Sequence, residues 1–234
     1  MNQLPNYAKL GSLLEKRRPV INLSPDFQSL AYNGCEKASM EKSEILPWSE
    51  FTFRNIMNAY GDVLEQAVNR GPPEEVPKFD CKNHDDMTEF CFGSFNTPSS
   101  VTSAISLGRH TYSSRFSRPD LRLACAKARQ MKEILPEKAD EWDLGNEDQV
   151  YIFYDESGTS FQPFLATAIA VPSCTWKPSS LVTANHENQP ELGPIEQLAA
   201  CAKTTKTCFS FIIGDKDIVV LQFFKAEAGK MGVY

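Results

Sequence analysis

The hydrophobic and polar positions in the C-terminal half form the short apolar runs that are typical of β-strands. Apolar residues fill Val150–Tyr154 and Pro163–Val171, and Gly158 lies in the polar turn between them, so the pattern predicts two neighbouring strands. Two further strands are predicted at Cys208–Ile213 and Asp217–Phe224, because another short polar turn separates these runs.

Helical spacing of apolar residues predicts the remaining elements. The strongest helix is predicted at Ser49–Asn69, where Ser49 is a good N-cap. Its apolar band at Phe51–Val68 is wider than one helix face needs; we expect it to be core, with a partner contact as the alternative. Further helices are predicted at Asp120–Leu135 and Pro194–Thr205, and a short amphipathic helix is predicted in residues 1–18.

These elements predict an α/β fold that leans towards α+β, with a mixed sheet flanked by helices and a mostly helical N-terminal segment. The predicted boundaries are residues 1–115 for that segment and residues 116–234 for the core that contains the sheet. Residues 19–47 are expected to be irregular, and Gly71–Asp80 is expected to be a surface connection because it is rich in proline. The extended pattern still holds at Val233-Tyr234, which is typical of a core that continues in a longer protein.

Composition and charge narrow the class of protein. The chain has 234 residues, of which 41% are hydrophobic and 23% charged, as in a folded globular protein, and its formal net charge is -6. An acidic balance disfavours a protein whose main role is to hold nucleic acid by its phosphates. No signal peptide or membrane-spanning run is predicted. The seven cysteines are an odd number, which is typical of reduced thiols, so we expect an intracellular protein.

Asp155 and Glu156 end the first predicted strand of the core and are the first candidates for catalysis. A rigid strand end can hold carboxylate oxygens for a hard cation such as Mg²⁺, and Asp215 or Asp217 in a later turn would complete the site. Neighbouring strand residues point to opposite faces, and no acidic residue occurs from Ser157 to His186. A polar hairpin turn, which uses Asp and Gly for their turn preferences, is therefore the favoured interpretation.

A family resemblance is carried by three segments between residues 118 and 234: EDQVYIFYDESG, FLATAIAVPSCTWKPSSL and IEQLAACAKTTKTCFSFIIGDKDIVVLQFF. They resemble the nuclease-like domain of the PD-(D/E)XK type found in many fungal proteins. The resemblance implies that Asp148 or Asp155 is the first acid of the site and that a Glu-x-Lys motif follows. That motif would fall on Ala170-Val171-Pro172, which carries neither group, and Lys177 is the only nearby lysine. The resemblance therefore implies a nuclease fold with a degenerate active site.

A second resemblance is carried by YIFYDESGT, which spans residues 151–159 and is followed by an apolar strand. It is similar to a group of RNase H-like proteins whose first strand carries Asp-Glu-Ser-Gly. In that group the strand opens the domain and further acids follow well downstream. Here the strand lies in the second half of the chain, so we rank this resemblance second.

Cys81 and His84 have the spacing of a zinc-binding pair, with Cys91 and His110 as the other candidate ligands. No second close pair accompanies them in the sequence. Buried thiols and a surface histidine are therefore the favoured interpretation.

Arg118, Arg122 and Arg129 lie near one face of the predicted helix Asp120–Leu135, opposite its apolar stripe. Such a face can bind nucleic-acid phosphates. A solvated face that pairs with nearby acids is the commoner use of such residues, and it is the favoured interpretation.

Together these observations predict a non-catalytic module with a nuclease fold, which binds nucleic acid or a protein partner and needs no cofactor. The alternative is a Mg²⁺-dependent nuclease or RNase H-like phosphodiesterase. In that alternative Asp155, Glu156 and Lys177 would act in catalysis. Asp155, Asp215 and Asp217 would then hold the metal. A structural or assembly protein is the third hypothesis.

Overall fold

The computed structural model describes residues 7–9, 20–28, 45–65, 67–69, 78–93, 123–136, 149–157, 163–179, 181, 192–225 and 231–234. The strands are β1 (Tyr7–Lys9), β2 (Val20–Gln28), β3 (Ala67–Asn69), β4 (Lys78–Asn83), β5 (Leu123–Lys127), β6 (Val150–Asp155), β7 (Phe164–Ala170), β8 (Phe209–Ile213), β9 (Ile218–Lys225) and β10 (Met231–Val233). The helices are α1 (Phe53–Leu64), α2 (His84–Gly93), α3 (Met131–Ile134) and α4 (Gly193–Thr205). No helix in these ranges is long and apolar enough to cross a membrane.

Six strands form the main sheet, in the order β10-β9-β8-β7-β6-β5. β7 and β8 run parallel, and every other neighbouring pair is antiparallel. α4 connects β7 to β8 and packs on both, as expected for the crossover between parallel strands. The predicted α/β fold with a mixed sheet is therefore confirmed. The predicted strands at β6, β7, β8 and β9 and the predicted helix α4 are also confirmed.

The alternation of side chains in β6 divides the interior into two cores. Val150, Ile152 and Tyr154 face α4 in the first core. Tyr151 and Phe153 face α2 in the second core. Both sides of the sheet centre are therefore apolar, which is typical of a strand covered on both faces.

The second core draws its side chains from both of the segments predicted from the sequence. Ile21, Cys81 and Phe92 pack there against Phe153 and the alanines of β7. α2 contacts β2, β4 and β7, and so joins the parallel β2–β4 pair to the main sheet. The predicted boundary at residues 115 and 116 therefore does not separate two hydrophobic cores.

The N-terminal segment contains strands as well as the helices α1 and α2. β2 forms in residues 19–47, so the expectation that this segment is irregular is wrong where it is described. β4 begins at Lys78, in the segment expected to be a surface connection. The apolar positions of β2 and β4 are used in the second core, which the local pattern does not reveal. Of residues 1–18, the structure describes only Tyr7–Lys9, which form β1 rather than a helix.

The helix predicted at Asp120–Leu135 is wrong. Residues 123–127 form β5, which pairs antiparallel with β6, and only α3 is helical after a short 3₁₀ turn. The Lys127 amide donates a hydrogen bond to Oε1 of Gln130 at 3.0 Å, which fixes the turn that ends the strand. Pairing along the sheet edge therefore overrides a local helix preference.

α1 is shorter than predicted, because its N-cap is not Ser49. The amide of Asn55 donates to Oγ1 of Thr52 at 3.2 Å, so Thr52 caps the helix that begins at Phe53. The apolar band of this helix was expected to be core, but Phe53 is 70% exposed and Tyr60 is 51% exposed. Ile56 and Met57 are half-buried.

Candidate functional site

Asp155, the first candidate for catalysis, is a buried turn residue at the end of β6. Its side chain is only 3% exposed, and its Oδ1 accepts a hydrogen bond from the Ser157 amide at 3.0 Å. Its own amide donates to the Pro163 carbonyl at 2.7 Å, which closes the hairpin to β7. Glu156 is exposed. These contacts are those of the polar hairpin turn that the sequence favoured.

Asp215 and Asp217 lie at the opposite end of the strands from Asp155. In the sheet register Tyr154 pairs with Phe164, at the start of β7. Ile213, two residues before Asp215, pairs with Ala170 at the end of β7. β7 has seven residues, which at ~3.3 Å per residue separates these ends by roughly 20 Å.

The predicted metal site of Asp155, Asp215 and Asp217 is therefore wrong, because carboxylates so far apart cannot bind one cation at ~2.0–2.6 Å. Lys177 follows the carboxyl end of β7, so it belongs to the Asp215 end and the structure does not bring it to Asp155. Within the described ranges, no group of three His, Cys, Asp or Glu side chains could hold a metal ion.

Asp215 fixes a turn at its end of the sheet. Its Oδ1 accepts from the Ser173 amide at 2.6 Å, and its Oδ2 accepts from the Ser173 hydroxyl at 2.7 Å. Gly214 is buried beside it, and a Cβ there would lie 2.9 Å from the Val171 carbonyl oxygen. Asp215 thus holds the chain leaving β7 against the β8–β9 turn.

Three of the candidate zinc ligands, Cys81, His84 and Cys91, are buried in the structure. Nε2 of His84 donates to the Ala170 carbonyl at 2.9 Å, and Nδ1 lies 3.1 Å from the Thr88 hydroxyl. Burial raises the pKa of the Cys81 thiol, which disfavours the thiolate that zinc requires. His110 lies outside the described residues. The expectation of buried thiols therefore fits Cys81 and Cys91, whereas the expectation of a surface histidine is wrong for His84, which is buried and hydrogen-bonded.

Acid is expected to destabilise the protein through His84. Burial lowers the pKa of His84 in the folded state, a nearby Asp85 carboxylate opposes that change, and the Lys127 ammonium adds to it. An unfolded histidine has a pKa of about 6.5, so as pH falls the unfolded chain binds the proton first. The stabilisation is therefore fully present above about pH 6.5 and is lost as pH falls towards the lower folded-state pKa.

Urea unfolding of the wild type and of His84→Gln at pH 7.5 and pH 5.5 measures this contribution. The Gln amide retains a donor for the Ala170 carbonyl but does not titrate. We expect the free energy of unfolding to fall less in the variant than in the wild type between the two pH values. An equal fall in both proteins would contradict the assignment.

The arginine face predicted for nucleic-acid binding does not form as predicted. β5 replaces the helix that would have aligned Arg118, Arg122 and Arg129. Arg129 is exposed in the 3₁₀ turn after β5, and Arg118 and Arg122 lie outside the described residues.

A groove of about 270 Å³ lies between α2 and the edge of the sheet at β5 and β6. Its lining is formed by Asp85, Glu89, Phe92, Cys125, Ala126, Lys127, Gln130 and Tyr151. The ring of Tyr151 forms its apolar side and stacks on the buried ring of Phe92, with centroids 4.1 Å apart. The sequence did not predict this groove, because its walls come from segments far apart in the chain.

The titratable groups of the groove are set for binding rather than for nucleophilic attack. Burial raises the pKa of Cys125 to about 12, so its thiol is protonated at neutral pH. Burial also raises the pKa of Tyr151 to about 12, with added effects of Cys125, Asp85 and Glu89. Tyr151 therefore presents a neutral hydroxyl to the groove.

A second surface lies on the α2 side of β8, β9 and β10. Val219, Leu221 and Phe223 of β9 point into the first core, so Ile218, Val220, Gln222 and Phe224 point to the other side, where Gln222 is the polar member. We use the name outer sheet face for the large apolar and aromatic residues of this other side: Trp48, Phe51, Phe209, Ile218, Phe224 and Tyr234.

Aromatic contacts form two groups on the outer sheet face. Trp48 lies 4.9 Å from Phe51 and 6.2 Å from Phe209, measured between ring centroids. Phe224 and Tyr234 stack at 4.5 Å. Phe209 is nevertheless 38% exposed and Ile218 is 54% exposed. α2 packs on β7 and on the β2–β4 pair, whereas this aromatic face remains partly open to solvent.

Comparison of the chain with protein-family models, with curated proteins and with solved structures gives no match.

Proposed function

We propose that this protein is a non-catalytic module that binds a protein partner through the outer sheet face. One observation carries the proposal: on the side of β9 that faces α4, Leu221 and Phe223 are buried, whereas on the other side Ile218 is 54% exposed and Phe224 is half-buried. A strand with two apolar sides is typical of a sheet that is covered on both faces. A partner surface supplies that cover.

The residues of the outer sheet face suit a protein interface. Tryptophan, tyrosine and phenylalanine are enriched at such interfaces, because they bury a large apolar area with few rotatable bonds. Trp48 and Phe209 form one aromatic pair and Phe224 and Tyr234 form another, and binding would remove their exposed area from water. The free energy of burying them would drive association.

Charge identifies the chemistry of the partner. The six residues of the outer sheet face are uncharged, and the chain as a whole has a net charge of -6. Nucleic acid requires lysine and arginine on the binding face to neutralise phosphates, so this face does not suit it. A second copy of the chain is repelled by the same net charge. The expected partner is therefore a different protein that presents apolar anchors flanked by basic residues.

Selection from a displayed library of random peptides tests this function. We expect the selected peptides to carry aromatic or aliphatic residues next to lysine or arginine. Their dissociation constants, measured by fluorescence anisotropy, should rise about tenfold or more for Phe209→Ser and for Ile218→Ser, which is at least ~1.4 kcal/mol of binding free energy. Ile134→Ser is the matched control, since Ile134 is 37% exposed on α3, outside the outer sheet face.

Other results would contradict the proposal. Peptides that bind all three variants equally well would place the binding surface elsewhere. Failure to select any peptide would argue against a protein partner. Salt-sensitive binding of DNA or RNA that is lost in Phe209→Ser would make nucleic acid the occupant, and a dimer lost in that variant would make it a second copy.

The nuclease-like family remains a second proposal. The order β6, β7, α4, β8 and β9 supports it, because the resemblance implies strand, strand, helix and then a strand pair. The position of its Glu-x-Lys motif, Ala170-Val171-Pro172, has neither a carboxylate nor an amine. This proposal agrees with a fold that binds partners without cleaving nucleic acid.

A further inference from the structure

The groove between α2 and the β5–β6 edge carries opposite charges on opposite walls. Asp85 and Glu89 lie one helical turn apart on α2, and Lys127 lies on β5. Among the described residues no ion pair joins Lys127 to either carboxylate. The groove thus holds two negative groups and one positive group that do not neutralise each other by direct contact.

The two carboxylates favour a bound cation. Acidic residues at positions i and i+4 of a helix repel each other, and a positive group between them relieves that repulsion. Asp85 and Glu89 have this spacing and face the same groove. An ammonium group bound there would form charge-assisted hydrogen bonds to both.

Lys127 favours a bound anion close to that cation. Its Nζ lies 6.0 Å from the centroid of the Tyr151 ring, because Lys127 and Tyr151 pair directly across β5 and β6. Arg129 lowers the pKa of Tyr151, but Asp85 and Glu89 raise it and act more strongly, so the positive charge of this wall is that of Lys127. A carboxylate that contacts Lys127 would form a charge-assisted hydrogen bond with its ammonium group.

We propose that this groove binds a small zwitterion of the α-amino-acid class. The ammonium group binds to Asp85 and Glu89, and the carboxylate binds to Lys127. An apolar side chain packs on the half-buried ring of Tyr151, which the buried ring of Phe92 supports from behind. The volume of about 270 Å³ is just below the ~300–1,000 Å³ of most small-molecule pockets, so it suits a ligand of this size.

Three probes separate the contributions of the two charges. At about pH 6, below the α-amino pKa, L-phenylalanine carries both charges, L-phenylalaninamide carries only the ammonium group, and N-acetyl-L-phenylalanine carries only the carboxylate. Isothermal titration calorimetry should give the lowest dissociation constant for L-phenylalanine. Each derivative should bind about tenfold more weakly or worse, since each loses a charge-assisted contact.

Isosteric variants test which wall of the groove binds the ammonium group of the ligand and which binds its carboxylate. Asp85→Asn combined with Glu89→Gln should weaken L-phenylalanine at least about tenfold and leave the weak binding of N-acetyl-L-phenylalanine unchanged. Lys127→Gln should weaken L-phenylalanine similarly and leave L-phenylalaninamide unchanged. Glu133→Gln and Lys132→Gln are matched controls on the exposed surface of α3, and they should bind like the wild type. Circular dichroism confirms that each variant is folded.

Several outcomes would overturn the inference. L-phenylalaninamide binding as tightly as L-phenylalanine would make the groove a cation site, and tightest binding of N-acetyl-L-phenylalanine would make it an anion site. No heat of binding for any probe at millimolar concentration would exclude a site of this class. The groove variants leave the outer sheet face intact. The outcome of the peptide-binding test therefore does not depend on the outcome of this test.

Discussion

Phe92→Ala is expected to lower the free energy of unfolding by about 3–5 kcal/mol. Phe92 is only 1% exposed and lies between Tyr151, at 4.1 Å, and Phe153, at 6.4 Å between ring centroids. Alanine would remove the ring from the second core and leave a cavity between α2 and the sheet. Since small domains are stable by only about 5–15 kcal/mol, this loss is a large part of the total.

Urea denaturation followed by circular dichroism measures the effect. Phe53→Ala is the matched control, because Phe53 is exposed and its removal should change the free energy by no more than about 0.5 kcal/mol. A loss below about 1 kcal/mol for Phe92→Ala would contradict the packing of α2 against the sheet.

Leu198→Ala is expected to lower the free energy of unfolding by about 2–5 kcal/mol. Leu198 is fully buried on the face of α4 that packs in the first core, beside Ile195 and Ala199. Because β6 and β7 contribute side chains to both cores, this change and Phe92→Ala should lower the midpoint of one shared transition.

Lys203→Ala is the control for Leu198→Ala, since Lys203 is exposed on the same helix. Its effect should stay within about 0.5 kcal/mol. Two separate transitions, with Phe92→Ala shifting one and Leu198→Ala shifting the other, would instead support independent units on the two sides of residue 115. The shared second core predicts a single transition.

The strongest local patterns predicted the centre of the fold. β6, β7, β8 and β9 are continuous apolar runs bounded by turn residues, and their predicted bounds are within two residues of the observed ones. α4 has proline in its first turn and an apolar face that packs in the first core. Such elements are specified by residues close together in the chain, so the sequence alone is enough to locate them.

Residues 123–127 show why other elements could not be predicted. Leucine, alanine and lysine favour helices, and they supply four of the five residues of this segment, LACAK. The strand β5 is selected instead by its pairing with β6, which lies more than twenty residues further along the chain. This pairing depends on the tertiary fold and cannot be deduced from the local periodicity.

The candidate sites divide in the same way. The sequence placed Asp155 and Asp215 after strands, but it could not show that the strand directions put them at opposite ends of the sheet. The groove combines Asp85 and Glu89 with Lys127 and Tyr151 only after α2 has packed on the sheet. The outer sheet face did leave a signal in IVVLQFFK, residues 218–225, since apolar residues occupy both sides of that strand.

Chemical-shift mapping of a library-selected peptide on the ¹⁵N-labelled protein tests the central claim most directly. If the outer sheet face binds a protein partner, the largest amide shift changes will fall on Phe209, Ile218 and Phe224 and on their strand neighbours. They will be absent in Phe209→Ser at the same peptide concentration. The largest changes at Asp155 and Glu156, or along α2, with the outer sheet face unaffected, would contradict the claim.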